Sequence, residues 1–402
     1  MMSIRGNVVL LATCQALMMS GMSLIITTAA LVGFNLAADK SLSTLPLAVV
    51  FIAMMFTSIP ASMLMQRIGR KAGFLLAALF SISGAILATI AIMNENYWLF
   101  VFAMACIGIF NAFGNYLRFA VVEIVEESFK SKAVSLVMAG GVVAAIVGPN
   151  LANWLRHSID NAVFAGSYAA LIGVYGLLFI VLLLINIPAK KENESGAVLP
   201  ARSLWVIVTQ PRFITALVCG MFGYGVMNLI MTATPLAMHH HAHSFSDTAF
   251  VIQWHALGMF APSFVTGHLI KRFGVLTILF IGGVLGLACV LVNLNGSTVS
   301  HYWMALVLLG ISWNFLFIGA TVLLTETYRP AESAKAQAVN EFAVFTTVAF
   351  ASLSSGVLQN KFGWQAVNYG VLPFLLLILL SIMWVGLSSR KDARTSSVSV
   401  EL

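Results

Sequence analysis

Charge is what this 402-residue chain has least of: 9% of its residues are Asp, Glu, Lys or Arg, against about 25% in an ordinary soluble domain. Hydrophobic residues make up 60%. A water-soluble fold of this length has too little interior for that much apolar surface, whereas lipid is a solvent for it. Cysteine is also scarce. Cys14, Cys106, Cys219 and Cys289 each sit inside an apolar run with no CxxC spacing, which points to small buried hydrophobes rather than a disulfide framework or metal site. No P-loop, HExxH or paired-aspartate motif occurs, so neither ATP as driver nor a membrane-embedded enzyme is supported, and no cofactor is implied. The formal charge of +7 is not that of a nucleic-acid binder, because the basic residues are scattered in small groups between apolar runs.

About 20 apolar residues span the hydrocarbon as a helix. Punctuated by turn residues and charges, such runs fall at 7–33, 44–65, 72–93, 97–121, 133–156 and 166–187, and again at 212–237, 247–270, 275–294, 302–325, 336–358 and 365–388. The first is too long for a secretory h-region and is expected to stay as a membrane helix. The expectation is therefore an all-α membrane protein of twelve transmembrane helices in two six-helix bundles. Residues 1–187 and 212–388 form the bundles, 188–211 a cytoplasmic linker and 389–402 a cytoplasmic tail. With both termini cytoplasmic, seventeen of the 21 Lys and Arg residues fall in inside segments and only Lys40, Arg156 and Lys361 outside, Arg118 being the remainder. A single miscounted helix would invert every later loop and destroy that bias. Short loops favour a bacterial inner membrane, and a monomer is the expected state.

The halves are copies of each other. A shift of 205 residues pairs Cys14 with Cys219, Met22 with Met227, Thr27 with Thr232, Arg67 with Arg272, Gly69 with Gly274 and Tyr97-Trp98 with Tyr302-Trp303. Apolar bias produces chance Leu and Ile matches, but not Arg, Gly, Cys and a Tyr-Trp pair at one shift. Halves of equal orientation are parallel repeats.

The loop after the second span reads Gln66-Arg67-Ile68-Gly69-Arg70-Lys71, and its copy reads Gly267-His-Leu-Ile-Lys271-Arg272-Phe273-Gly274. Placed at equivalent points of a duplicated chain, these resemble the G-x-x-x-D-R-x-G-R-R/K signature of the major facilitator superfamily, with Gln66 and Lys271 at the acidic position. The resemblance covers nearly the whole chain. It implies two bundles rocking around a midplane site and a small-molecule substrate, with protons as the default driver. Glycine permits the tight turn; the arginines are positioned to close an inner gate on Glu123, Glu126, Glu127, Glu326 and Glu332, or else are simply topogenic charges. In the fifth span, Gly140, Gly141, Gly148 and Pro149 resemble the G…GP-x-x-G-G motif of drug/proton antiporters, with Ala152 and Asn153 in place of the last glycines; such residues let a neighbouring helix approach closely. The run Gln253–Arg272 is similar to a bacterial subgroup that includes riboflavin transporters.

Polar groups within the spans are the candidate site. Glu341, about two turns inside its helix, is the leading proton carrier, with a structural ion pair as the alternative. His255 is a second coupling candidate, because imidazole titrates nearest neutrality, or else a satisfied structural histidine. Gln15, Asn111, Asn115, Asn228, Gln253, Trp254, Trp313 and Asn314 are the substrate-cavity candidates; amides beside indoles suit a neutral or zwitterionic organic solute with an aromatic part. Arg118 lies near the cytoplasmic mouth of the fourth span, as an anion-attracting or snorkelling group. The outer run His239-His240-His241-Ala242-His243 offers a rival reading. If helical, His239 and His243 share a face and suit a transition metal, which would make the chain a metal or metal-chelate transporter.

Overall fold

The computed structural model describes residues 4–117, 120–121, 130–185, 202–329 and 332–398. Among these, every long element is a helix, as a chain must be where no water can pair with its backbone. In chain order they are α1 (Ile4–Leu36), α2 (Leu45–Ile68), α3 (Arg70–Met93), α4 (Tyr97–Gly114), α5 (Lys130–Leu155) and α6 (Ala165–Leu184). Then follow α7 (Pro211–His240), α8 (Phe245–Phe260), α9 (Ser263–Phe273), α10 (Val275–Asn295), α11 (Val299–Thr325) and α12 (Ser333–Val398). Nine helical segments among the described residues are long and apolar enough to cross a membrane. One of them, Lys335–Ser388, has 54 residues, about 80 Å of helix against roughly 30 Å of hydrocarbon. It is broken at Gly363 (φ 79°, ψ −179°), between the spans expected at 336–358 and 365–388.

Three segments carry structure that the sequence reading did not give. The span expected at 247–270 is interrupted at Ala261–Pro262, giving α8 and α9. Pro262 has no N–H to return to the Gly258 carbonyl four residues back, and at the same break Asn314 of α11 donates its Nδ2 to the Met259 carbonyl at 2.6 Å. The linker expected over 188–211 has its first part outside the described residues, while its end carries a five-residue helix, Leu204–Val208. Beyond residue 388, in the segment expected as a tail, the backbone is helical to Val398.

Two hydrophobic cores form. One gathers chiefly residues up to Ile185, from Leu11 and Phe100 to Tyr168 and Leu178. The other gathers residues from Ile207 onward, including Phe213, Tyr302 and Leu316. Within each half, small residues set the helix spacing. A Cβ added at Gly148 of α5 would lie 2.6 Å from the Ser23 Cβ and 2.8 Å from the Leu24 nitrogen of α1. In the second half, α12 packs most extensively on α7. The halves meet along α5 against α8 and α2 against α12, with α1 against α7 between them.

The duplicated turns have the same shape. Gly69 joins α2 to α3 at φ 85°, ψ 154°, and Gly274 joins α9 to α10 at φ 84°, ψ 150°. That region is essentially closed to residues with a Cβ. Neither glycine has an atom within 4 Å of where a Cβ would stand, so conformation alone, not crowding, demands glycine.

Both turns lie at the end of the bundle where α1 begins and α12 ends, here called the terminal face; the opposite end is the distal face. At the terminal face Arg202 binds Glu332, just before α12, through Nη2 to Oε2 at 2.7 Å and Nε to Oε1 at 2.9 Å. The Arg202 and Arg329 backbone N–H groups also donate to that carboxylate. These bonds, led by the Arg202 side chain, hold the Glu332 carboxyl well below the usual carboxylate range. Arg212 pairs with Glu326 at 2.7 Å. The short helix is thereby fastened to the loop between α11 and α12.

Two outcomes follow. Gly69→Ala and Gly274→Ala each lose about 1–3 kcal/mol of stability, whereas Gly267→Ala, on a helix with open space around it, unfolds thermally like the parent; a parent-like melting temperature for Gly69→Ala would contradict the turn assignment. Because the Glu332 carboxyl is depressed, its contribution is complete above the ordinary carboxylate pKa and disappears only as pH falls through the lower folded value. The hydrogen-exchange protection factor at Leu204–Val208, corrected for the pH dependence of the chemical exchange step, is thus unchanged from neutral pH down to about 4, but falls roughly tenfold or more in Glu332→Gln at the same pH. Equal exchange in the variant and the parent would show that the pair does not hold this segment.

Candidate functional site

The seam between the halves is closed toward the distal face. Asn360 of α12 donates Nδ2 to the Lys40 carbonyl at 2.7 Å and to the Ser43 Oγ at 3.1 Å, and the Gly356 N–H donates to Thr44 Oγ1 at 3.2 Å. On the other flank Asn150 of α5 donates to Gln253 Oε1 of α8 at 2.6 Å. Phe34 packs on the His239 and His240 rings, and Phe245 on Phe164 and Arg156. Midway along the interface Thr346 Oγ1 meets Met55 Sδ at 3.3 Å. Toward the terminal face, Ile59 and Met63 of α2 and Phe342 of α12 are all more than half exposed.

At the middle of this seam lies a cluster of aromatic side chains. Trp313 of α11 stacks on Phe317 with ring centres 4.9 Å apart and planes 9° from parallel. The Tyr224 ring of α7 meets Trp313 edge-on at 5.4 Å, and Phe260, at the end of α8, meets it at 6.2 Å. Tyr224 packs against both cores. Phe260 reaches across to α5, where a Cβ on Gly141 would come within 2.8 Å of its ring. The cluster therefore stands between the halves. Its indole Nε1 is buried without a hydrogen-bond partner, as is Asn228 Oδ1, one turn beyond Tyr224 on α7. The Asn228 Nδ2 donates to the Val348 carbonyl at 3.1 Å. Gln15 of α1 also has a buried, unpartnered Oε1. Buried polar atoms are nearly always paired, so these three stand out among the described residues of their helices.

The remaining cavity candidates are dispersed. Asn314 is consumed in the α8–α9 break: besides Met259, it bonds Ser263 Oγ and Thr266 Oγ1, each at 2.6 Å. Asn111 donates to the Ile107 carbonyl of its own helix at 2.9 Å; Asn115 caps the end of α4. Trp254 is exposed at 39% and lies edge-on to Trp303 at 5.9 Å, away from the aromatic cluster. Gln253 bridges the halves. His255 is fully buried against α11 with Nδ1–H donated to the Leu306 carbonyl at 2.8 Å, and its Nε2 has no partner. Glu341 is partly buried on α12. Arg118 lies outside the described residues. Tyr224, Phe260 and Phe317 were not singled out by sequence reasoning; the i, i+4 spacing of Trp313 with Phe317 and of Tyr224 with Asn228 was the available signal.

At the terminal face Arg67 and Arg272 are exposed. Glu326 and Glu332, two of the expected gate carboxylates, are bonded instead to Arg212 and Arg202, while Glu123, Glu126 and Glu127 lie outside the described residues. Lys71 caps α6 through the Leu183 carbonyl at 2.7 Å, and the Arg272 guanidinium lies 5.3 Å over the Phe273 ring. Gly148, as noted, sets the α1–α5 approach, and Pro149 follows it within α5.

The histidine run does not form the expected pair. α7 ends at His240, and Ala242 turns with φ 57°, so His239 and His243 do not share a helical face. His243 Nε2 bonds the Ser297 carbonyl at 2.6 Å, and His239 packs on Phe34. No group of three or more metal-type ligands occurs among the described residues.

Comparison with known proteins bears on the family and the fold. The family model described as Major Facilitator Superfamily matches residues 11–343, and again 217–400, the overlap expected of a duplicated chain. The riboflavin transporter RfnT of Brucella anthropi is 39% identical over 380 residues, spanning 94% of this chain and 95% of that protein. An uncharacterized MFS-type transporter, YddS of Bacillus subtilis, is 25% identical over 91% of this chain and 87% of its own length. The crystal structure of a mutant nucleoside transporter NupG superposes with a TM-score of 0.70, at 13% identity, over 95% of this chain and 99% of that one, which speaks for the fold alone. These relatives are transporters, not enzymes, and this chain, with its duplicated helical halves, belongs to the major facilitator superfamily of membrane transporters.

Proposed function

We propose that this chain is a proton-coupled secondary transporter whose solute is a small organic molecule with a flat aromatic ring system, a flavin-like heterocycle above all. The observation that carries the reading is the Tyr224, Phe260, Trp313 and Phe317 cluster at the seam between the halves. Aromatic faces offer stacking to any planar ring. The unpartnered Trp313 indole N–H and the Asn228 and Gln15 carbonyls offer one donor and two acceptors to its edges. A riboflavin transporter at 39% identity over nearly the whole chain supports the same class.

In this reading twelve helices cross the membrane with both termini cytoplasmic, so the terminal face looks into the cell and the distal face outward. The protein works as a monomer in a bacterial inner membrane. The halves rock about the aromatic cluster, exposing it to one side at a time. Because the cluster joins α7, α8 and α11 and reaches α5 at Gly141, a solute held there touches both halves and biases their arrangement. Glu341, on the helix that joins the seal at Gly356 and Asn360 to the terminal face, is the proposed proton carrier. A charge moved through the field is worth about 2.3 kcal/mol per 100 mV.

Two measurements test this. Riboflavin raises the melting temperature of the purified protein, and Trp313→Ala weakens its binding by roughly 5–150-fold, the range for losing one stacked ring. Unchanged affinity in the variant, or no stabilisation by riboflavin, overturns the substrate class. In proteoliposomes Glu341→Gln abolishes accumulation driven by a proton gradient while solute exchange continues. Undiminished accumulation removes Glu341 from the coupling role.

A further inference from the structure

A second cleft, of about 600 Å³, opens at the distal face of the C-terminal half. It lies between the ends of α7 and α10 and the break in α12 at Gly363, and shares no residue with the aromatic cluster. Its volume falls within the range of small-molecule sites.

The walls are polar in a particular way. Asn293, Asn295, Gln359, Asn360, Trp364 and His241 contribute, and none of the lining residues is Lys, Arg, Asp or Glu. Three of these side chains are nine-tenths or more buried: Asn293 at 3%, Gln359 at 5% and Trp364 at 7% exposure. Each has a polar atom without a hydrogen-bond partner, namely Asn293 Oδ1, Gln359 Oε1 and Trp364 Nε1. Asn293 is held in place by its own Nδ2, which donates to Asn368 Oδ1 at 2.9 Å. His241 is oriented by the Tyr302 hydroxyl at 2.9 Å. The duplication gives an internal control: 205 positions earlier, Asn293 and Asn295 correspond to Ala88 and Ile90. The polar cleft is therefore not a by-product of the repeated fold.

We infer that this cleft is a binding site for an uncharged, hydroxyl-rich solute or solute portion, a linear polyol or sugar. Two carbonyl acceptors and one indole donor match hydroxyl groups, each of which both donates and accepts. An indole also provides an apolar face for the C–H side of such a chain. Walls without formal charge disfavour phosphates and carboxylates, which need a cation or a convergence of N–H donors. Asn360 links the cleft to function, because its amide also makes the bonds to Lys40 and Ser43 that close the distal seam. A ligand here bears on the same residue that fastens the halves together.

The test uses the purified full-length protein and equilibrium binding of radiolabelled ribitol and glucose, with gluconate as the charged control. At least one of the two uncharged probes binds saturably in the millimolar range or tighter, and gluconate does not. Gln359→Leu replaces an unpartnered buried carbonyl by an apolar group of similar size, so it leaves the melting temperature unchanged or raised, yet weakens polyol binding about tenfold, as expected for one lost hydrogen bond. Asn295→Leu, at an exposed position of the same wall, provides a second reading without a buried substitution and lowers affinity in the same sense. Absence of saturable binding by both polyols overturns the proposal, as does binding that both folded variants retain undiminished.

Discussion

In hydrocarbon no water is at hand to pair with an exposed N–H or C=O, and this one constraint organises the molecule. It makes helix the only long element among the described residues and forces every interruption to be repaired locally. The α8–α9 break shows how: Pro262 interrupts the helix, and at the same break Asn314 from α11 donates to the Met259 carbonyl. Asn293 and Asn368 pair across helices on the same principle. Against that background an unpaired polar side chain is conspicuous. Those of Gln15, Asn228 and Trp313 gather along the helices that meet at the seam, and those of Asn293, Gln359 and Trp364 wall the distal cleft.

Duplication supplies the second organising fact. Gly69 and Gly274 repeat one backbone conformation closed to other residues, and Gly148 allows the close α1–α5 contact. The two turns are repeated in both halves, whereas Gly148 has Leu353 as its counterpart. The proposed solute site lies where the halves differ. The aromatic cluster is drawn mainly from the second half and leans on the first only through Gly141 and the partner core. Lys71 caps α6, whereas its counterpart is Leu276.

Much of this was legible in the sequence, for a physical reason in each case. Apolar runs of bilayer length located most of the long helices among the described residues. Glycine at a fixed offset from arginine located the turns, since only glycine takes that conformation. What the sequence did not disclose depends on which way a side chain points. Trp254 and Trp313 look alike in the chain, yet one lies exposed beside Trp303 and the other at the seam. His239 and His243 have metal-ligand spacing only if the helix continues, and it stops at His240. Glu332 looked like a gate partner for Arg67 or Arg272, but Arg202 from the linker reaches it first. Phe260 and Tyr224 became visible as a pair only once three helices had been brought together.

The central claim is that the two halves rock about the aromatic seam when the solute binds. The four native cysteines are buried, so spin labels go selectively to cysteines introduced at exposed positions. One pair, at Lys40 and Lys361, reports the distal face; the other, at Arg67 and Arg272, reports the terminal face. Double electron–electron resonance on both pairs, with and without saturating riboflavin, measures the two separations in one preparation. The account predicts that they change in opposite senses, one face widening as the other narrows. Two distance distributions that stay fixed, or move together, while riboflavin is bound would contradict it.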